Sequence, residues 1–421
     1  MRKHGGVVVG LALLSACSTT SSVRDGGSRE DGGPHDDFLD GGTGESSALD
    51  AGDGAPLADA GRGFPRLGVY SMNVDGTGLK LLVDAGAREL SHVRRLPATR
   101  WLTATRYGQD PDHNGLSMEN ESGFGAFYSG TQVVVFPLDD PSAQVVLAGT
   151  PSGGLAANPS WTDDGKLLHL VIDGDAGPLG AHFNRLTFGA IPAVSSTETL
   201  VVPAELTIPV DPHQHGPSDA SGFIVFTALF KLSSKWMAPV WKMPATGTAS
   251  LSAVSLVGCP ICPSQGGCCG WTNLGDVLGT NDARVSHSGS DVLWMQQHPD
   301  VSFSFPGPSG PISVYPQRQA MRSLNASAQV DLPAAGVANT TLLSYGEWRA
   351  DDQELVYWSV DLQAVTKQHL NLMNRDGTNR RRIPLPGELC PLHPSYLSAT
   401  EIVFNAWRCS VPDCTCDVAR L

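Results

Sequence analysis

The sequence predicts an all-β fold in which six related hairpins close into a ring, the architecture of a six-bladed β-propeller. Three observations support this prediction. A hairpin pattern recurs six times along the 421 residues, turn residues are abundant (47 Gly and 30 Pro), and long amphipathic helical patterns are missing. The N-terminal part differs in composition, and we expect it to lie outside the ring.

The chain begins with an export signal. The positive start Arg2–His4 is followed by the apolar run Gly5–Leu14, which is too short to span a bilayer as a helix. The next residues, Leu14–Cys17, resemble the lipobox of bacterial lipoproteins, in which the cysteine receives a diacylglycerol. We therefore expect residues 1–16 to be a signal peptide and Cys17 to carry the acyl chains of a membrane anchor.

Residues 17–64 are predicted to be the acylated cysteine followed by a disordered tether. The stretch consists largely of Asp, Gly, Ser and Ala, with ten acidic and three basic residues, and has too little apolar surface to offset the entropy of ordering. Ser18 after the cysteine resembles the outer-membrane form of the sorting signal. We expect an outer-membrane lipoprotein that faces the periplasm or the cell surface.

The repeated unit is clearest at Asn158–Val171. Asp164-Gly165 favours a tight turn, and the run Leu167–Val171 suits a mostly buried strand. Five other stretches follow this template and are predicted to be the inner hairpins of the other blades: His92–Ala104, His215–Thr227, Asp282–Met295, Tyr345–Trp358 and His393–Ala406.

Six further strand pairs alternate with the inner hairpins and are predicted to be the outer halves of the blades. They are Leu67–Val83, Gln132–Leu147, about 182–202, about 240–257, Ile312–Leu332 and Leu370–Asn379. Because the series starts on an outer pair and finishes on an inner hairpin, the last blade lacks its outer half. We expect Leu67–Val83 to complete it and close the ring, which removes exposed sheet edges.

Two short motifs connect this pattern to a known family. Met-Asn-x-Asp-Gly-Thr occurs at Met72–Thr77 and Met373–Thr378, and Pro-Ser-Trp-x-x-Asp-Gly-Lys occurs at Pro159–Lys166. The combination resembles the WD40-like repeats of TolB-type six-bladed propellers over residues 65–408. The resemblance implies the fold, whereas the α/β domain that precedes the propeller in TolB has no counterpart here.

Cysteine usage agrees with export. An even number of cysteines besides Cys17 favours disulfides, with Cys390 pairing to the C-terminal tail, residues 409–421. For the cysteines at 259–269 the alternative is a zinc site. The candidates are Cys259, Cys262, Cys268, Cys269, Cys390, Cys409, Cys414 and Cys416.

Aligning the six hairpins on the position of Gly165 indicates a candidate site. The residue seven places before it lies on the innermost strand and is expected to face the central channel; the six are His92, Asn158, His215, Asp282, Tyr345 and His393, with His213 nearby. Imidazoles and a carboxylate are plausible ligands for a divalent metal. Oligogalacturonate lyases, built on related repeats, hold manganese with His and Gln in such a channel. The competing interpretation is that these polar side chains bond to strand carbonyls and water without metal.

Net charge and sequence motifs exclude some classes of function. A formal charge of −14 argues against nucleic-acid binding, and no Gly-x-Ser-x-Gly nucleophile motif occurs. Five tryptophans at related repeat positions are expected to pack between blades: Trp101, Trp161, Trp294, Trp348 and Trp358. The favoured hypothesis is a monomeric, lipid-anchored binding module rather than an enzyme, and we expect it to bind an envelope protein or polysaccharide. The alternative is a metal-dependent polysaccharide lyase or hydrolase.

Overall fold

The computed structural model describes residues 67–108, 130–149, 155–172, 181–232, 235–258, 280–297, 303–305, 312–314, 317–325, 329–332, 341–361, 368–386 and 388–408. Within these residues the chain forms 27 β-strands and no α-helix, and the only helical element is a 3₁₀ turn at Leu251–Ala253. None of the described segments forms an apolar helix of the length that a membrane crossing requires.

The strands follow one another in this order: β1 (Leu67–Asn73), β2 (Lys80–Asp84), β3 (Leu90–Arg95), β4 (Trp101–Arg106), β5 (Gln132–Pro137), β6 (Val145–Ala148), β7 (Leu155–Trp161), β8 (Leu167–Ile172), β9 (Ala181–Ala190), β10 (Ala193–Leu200), β11 (Leu206–His215), β12 (Phe223–Leu232), β13 (Lys235–Met237), β14 (Val240–Pro244), β15 (Ser255–Gly258), β16 (Thr280–Val285), β17 (Asp291–Gln297), β18 (Phe303–Phe305), β19 (Ile312–Val314), β20 (Gln317–Ser323), β21 (Gln329–Leu332), β22 (Thr341–Trp348), β23 (Glu354–Asp361), β24 (Gln368–Asn374), β25 (Arg381–Arg382), β26 (Leu389–Tyr396) and β27 (Glu401–Arg408).

These strands form six antiparallel blades, as the sequence predicted. Numbered along the chain, blade 1 is β3–β6, blade 2 is β7–β10, blade 3 is β11, β12, β14 and β15 with β13 beside β12, blade 4 is β16, β17, β20 and β21, and blade 5 is β22–β25. Blade 6 has the strand order β2-β1-β27-β26. The predicted closure is confirmed, because β1 pairs with β27 along its full length from Leu67 opposite Trp407 to Asn73 opposite Glu401.

One predicted strand pair, Ile312–Leu332, starts too early. Ile312–Val314 does not belong to the outer half of blade 4; it pairs with Phe303–Phe305 in a separate two-stranded ribbon between β17 and β20. The outer half of the blade starts at Gln317 instead. Alternating polar and apolar residues occur in both segments, and this pattern cannot say which strand each one pairs with.

Apolar side chains from neighbouring blades pack together in the spaces between the sheets. Between blades 3 and 4, Val225 and Val240 contact a cluster that includes Trp294, and between blades 4 and 5, Leu293 packs in a cluster with Trp348. The exposed fractions of these two tryptophans are 0% and 1%. The other three predicted core tryptophans also lie in or against such clusters, which confirms their assignment: Trp101, Trp161 and Trp358.

The Asp-Gly turns have a clear physical cause. At Asp75 and at Asp376 the carboxylate accepts hydrogen bonds from the backbone N–H and the hydroxyl of the threonine two residues later, at 2.9 and 2.7 Å and at 3.0 and 2.6 Å. The glycine between them has a φ of +90° at Gly76 and +81° at Gly377, which favours glycine. The family motif therefore encodes a self-contained turn.

The blades give the ring two different faces. The turns of all six inner hairpins surround one opening, and we call this side the turn face. Neighbouring strands of a blade are antiparallel. The connections between blades therefore join strand ends on the opposite side, and so do the connections from the second to the third strand of each blade. We call this side the connection face. Leu67 and Arg408, the ends of the described ring, also lie on the connection face, since Leu67 pairs with Trp407 at the far end of β27.

Candidate functional site

Each innermost strand carries a β-bulge at the same point, and the bulges form a ring around the axis. The register with the second strand shifts at this point in every blade. The bulge residues are His92, Asn158, Asp211, Asp282, Tyr345 and His393. Five of them have a φ between +45° and +52°, a left-handed conformation that is uncommon outside glycine: His92, Asn158, Asp211, Asp282 and His393.

The predicted ring is therefore correct in position for five blades and wrong for blade 3. Asp211, not His215, is the bulge residue there. The turn between β11 and β12 is longer than in the repeated template, so counting back from Gly222 ended near the end of the strand instead of at the bulge. A sequence signal was available, because Asp211-Pro212 matches Asn158-Pro159 and His393-Pro394.

His215 lies at the rim of the opening. Its imidazole Nδ1 is 3.4 Å from Asp163 Oδ2 of blade 2, and its side chain is 23% exposed. It also packs against Gly289 of blade 4, where any side chain would collide with the imidazole ring. His215 therefore joins the turns of three neighbouring blades and is separate from the bulge ring.

The bulge residues contact one another in pairs. The rings of His92 and His393 stack with centroids 4.2 Å apart and an interplanar angle of 22°. Asn158 donates a side-chain hydrogen bond to Asp211, and Asp211 in turn accepts the backbone N–H of Asp282 at 3.1 Å. These contacts join blades 6 and 1 and blades 2, 3 and 4 at the axis.

A second ring lies two residues further along each strand and is dominated by charge. Its members are Arg94, Ser160, His213, Arg284, Glu347 and Ser395. Glu347 Oε2 lies 3.1 Å from Arg94 Nε and 3.7 Å from Arg284 Nε, and Arg284 also forms an ion pair with Asp282. Sequence reasoning missed this network because its partners come from three different blades.

Burial determines the protonation of these groups. Burial lowers the pKa of His92, His213 and His393 well below the usual value, with Arg94 and Arg284 contributing in the same direction. His213 Nδ1 accepts the backbone N–H of Val285 at 3.4 Å, so the neutral ring carries its proton on Nε2.

Burial has the opposite effect on the axial carboxylates. It raises the pKa of Asp211, and it raises the pKa of Asp282 to about 7, with Arg284 opposing the rise in both cases. Loss of solvation therefore sets the direction of both shifts, and the charge of Asp211 raises the pKa of Asp282 further.

The predicted metal ligands do not fit a metal centre. Stacked imidazoles direct their ring nitrogens side by side rather than toward a common point, and the predicted third histidine, His215, lies elsewhere. Across the described part of the chain, no group of three His, Cys, Asp or Glu could hold a metal ion. His393 Nδ1 instead lies 3.2 Å from the amide oxygen of Asn405.

A cavity of about 410 Å³ lies above the second ring, at the mouth on the turn face. All six blades contribute to its wall. Its polar residues include Arg94, Ser160, Asp163, His213, His215, His287, Glu347 and Ser395, and its apolar residues include Pro97, Trp161, Trp348, Ala350, Leu397 and Ala399. The volume is in the range typical of small-ligand sites.

Several predicted residues lie outside the described part of the chain: Cys17, Cys259, Cys262, Cys268, Cys269, Cys409, Cys414 and Cys416. Cys390, the one cysteine inside it, is buried in β26. The lipid anchor and the disulfides stay predictions. Trp241, in β14, is 7% exposed and packs in the core.

Six blades, five of four strands and one of five, surround a channel and define the chain as a six-bladed β-propeller with a polar cavity at one mouth. No protein-family model matches the sequence, and no curated protein matches it. Solved structures with a similar fold include one described as a TolB from Agrobacterium tumefaciens, at 10% identity and a TM-score of 0.48 over 82% of this chain and 99% of that one.

Two other solved structures have the same kind of fold. They are an oligogalacturonate lyase in complex with manganese, at 8% identity and a TM-score of 0.43 over 79% of this chain and 80% of the other, and a nidogen/laminin complex, at 10% identity and a TM-score of 0.39 over 64% and 80%. At these identities the likeness is one of fold alone. The fold implied by the TolB-type repeats is the fold that the blades form.

Proposed function

We propose that this chain is a binding module of the bacterial cell envelope, anchored by lipid on Cys17, that takes its ligand at the mouth cavity. The observation that carries the proposal is a cavity of about 410 Å³ built by all six blades, with polar groups that converge on it. The lipobox-like segment and the acidic stretch after it support the anchor. The partner is an envelope protein or polysaccharide.

The charges at the axis favour binding over catalysis. Arg94 and Arg284 both pair with Glu347, and the axial histidines are buried and neutral. A general base needs access to its substrate and a pKa near the working pH. His92 and His393 have neither, because each is 2% exposed and has a strongly lowered pKa.

The test uses the full-length protein in its native membranes. Ala399 is an exposed turn residue that lines the cavity, so Ala399→Trp obstructs the mouth without disturbing the core. Ala143→Trp is the matched control, because Ala143 is an exposed turn residue that does not line the cavity. We expect chemical cross-linking in cells to yield one adduct with the native protein and the control, and none with Ala399→Trp.

Two outcomes contradict the proposal. An adduct that forms equally in all three proteins places the contact outside the cavity. No adduct in any of them, combined with no retention of envelope polysaccharide, argues against a binding module.

A further inference from the structure

The mouth cavity has hydrogen-bond donors that the protein itself does not use. Arg94 is 7% exposed, and while its Nε pairs with Glu347 and its Nη1 donates to the carbonyl of Val93, its Nη2 has no hydrogen-bond partner. The indole Nε1 atoms of Trp161 and Trp348, in the same wall, are also buried without a partner. A buried donor without a partner is costly, which makes these atoms candidates for ligand contacts.

His213 adds a further donor. Because its Nδ1 accepts the N–H of Val285, the neutral ring presents an N–H at Nε2. Burial and the neighbouring Arg284 lower the pKa of His213, so the ring keeps this form at neutral pH. The residue belongs to the charged ring and lines the floor of the cavity.

The two carboxylates in the same wall are already engaged. Glu347 Oε1 accepts the backbone N–H of Trp348 at 3.3 Å, and its Oε2 forms ion pairs with Arg94 and Arg284. Asp163 accepts the backbone N–H of Gly216 at 2.6 Å and lies 3.4 Å from the imidazole of His215. The cavity therefore has a surplus of donors, and the ligand that complements it is rich in acceptors.

We propose that the cavity binds the terminal carboxylate of a polypeptide, with Arg94 Nη2 and His213 Nε2 as donors; this rests on the proposed function and specifies its ligand. A carboxylate offers two acceptor oxygens and one negative charge, which suits one guanidinium edge beside a neutral imidazole.

The walls favour a peptide over an acidic sugar. Sugar sites use exposed aromatic faces, but Trp161 and Trp348 are only 8% and 1% exposed. The rim is formed instead by small aliphatic residues that suit peptide side chains: Pro97, Ala350, Leu397 and Ala399.

The experiment uses the full-length chain in detergent and a randomised pool of N-acetylated pentapeptides, in free-acid and in C-terminal amide form. Peptides retained on the immobilised protein are identified by mass spectrometry, and individual sequences are titrated by calorimetry. We expect the protein to retain free acids and to bind the matching amides at least tenfold more weakly. Oligogalacturonate is the third ligand and represents carboxylates carried by sugars.

Two variants locate the contact. The double variant Arg94→Gln/Glu347→Gln removes the guanidinium together with the carboxylate that pairs with it. We expect this variant to lose retention of free acids. Arg100→Gln, in the same blade, breaks an exposed ion pair with Asp139 and should change nothing. If the double variant does not fold, Ala399→Trp blocks the cavity and should abolish retention without altering the melting transition.

Equal binding of acid and amide forms overturns the inference, and so does free-acid binding that survives both Arg94→Gln with Glu347→Gln and Ala399→Trp. Preference for oligogalacturonate overturns the peptide assignment. If no pool is retained while the cellular adduct still disappears in Ala399→Trp, this inference fails and the proposed function stands. If the adduct still forms with Ala399→Trp, the proposed function is contradicted instead.

Discussion

At the scale of single residues, the backbone explains much of the axial ring. Five of the six bulge residues have left-handed dihedrals, and outside glycine these are adopted most readily by Asn, Asp and His. Asn158, Asp211 and His393 are residues of these types. The composition that indicated metal ligands in the sequence therefore has a conformational cause that requires no ligand.

The charged ring gives a prediction about Glu347. It is buried against Arg94 and Arg284, so Glu347→Ala leaves two buried cations without their shared partner. Breaking a buried ion pair in this way typically costs about 3–5 kcal/mol. We expect Glu347→Ala to lower the free energy of unfolding by that order, measured by urea denaturation. Replacing Arg94 and Glu347 together by Gln should cost less than Glu347→Ala alone; an equal or larger cost would contradict the ion-pair explanation.

His169 gives a prediction about pH. It is buried in β8, and burial lowers its pKa from 6.5 to about 4. Between these values the unfolded chain binds a proton that the folded chain does not, so stability falls as the pH falls from 6.5 toward 4. His169→Gln removes this proton. Between pH 6 and pH 5 we expect the variant to lose about 1 kcal/mol less stability than the native protein. Identical pH dependence in urea titrations would show that His169 is protonated in the fold.

Residue identities at the site were partly predictable. His92, Asn158, Asp282 and His393 follow from a constant distance to a short turn, because the hairpin geometry is local. Asp211 could not be found from this distance, because the turn of its hairpin is longer, although the proline after it was a usable signal. The pairing of Arg94 with Glu347 depends on contacts between blades 1 and 5, which are separated by about 250 residues and leave no trace in local periodicity.

At the scale of elements, the fold depends on local turns and on one distant pairing. The Asp-Gly turns satisfy their own hydrogen bonds, so hairpins could be recognised from a few residues. Ring closure was predicted differently, because no outer strand pair follows the last inner hairpin. The register of β1 on β27 confirms this closure. The short ribbon β18–β19 was misassigned because nothing local distinguishes an insertion from a blade edge.

The closure predicts that strand order can be changed without changing the fold. Leu67 lies opposite Trp407, so a short Gly/Ser turn can join Arg408 directly to Leu67. A circular permutant that begins at Ala87, in the exposed connection before β3, and ends at Gly86 should melt within a few degrees of the unpermuted 67–408 chain. Deleting residues 67–84 exposes the edge of β27 and should abolish the cooperative transition, as followed by circular dichroism. A deletion that still melts cooperatively would show that closure is dispensable.

At the scale of the whole molecule, the two faces of the ring carry different features. The turn face carries the cavity, and its inner hairpin turns are short. The connection face carries both ends of the ring and the strand ends joined by the longest connections, from β4 to β5 and from β15 to β16. The first described residue after the predicted tether, Leu67, therefore lies on the side opposite the cavity.

This arrangement predicts that the tether is independent of the ring and of the cavity. Deleting residues 18–64 should leave both the melting transition and the affinity for any cavity ligand unchanged, as measured by calorimetry. The matched control replaces the same residues with a Gly/Ser linker of equal length. A large loss of stability on deletion, restored by no linker, would show that the tether packs on the ring.

The anchor predicts a covalent modification. If Cys17 is acylated, cells fed labelled palmitate should incorporate label into the native protein and none into Cys17→Ser, and the variant should leave the membrane fraction. Label that persists in Cys17→Ser would contradict the anchor.

The separation of the two faces also matters for using this protein as a tool. Because Leu67 and Arg408, the ends of the described ring, both lie on the connection face, a reporter domain or a surface attachment can be joined to them while the turn face stays open to solution. The six inner turns around the cavity come from six separate hairpins, but those of blades 2, 3 and 4 contact one another at His215 and have to be varied together. A fusion at the connection face would thus be separated from the cavity by the full height of the blades.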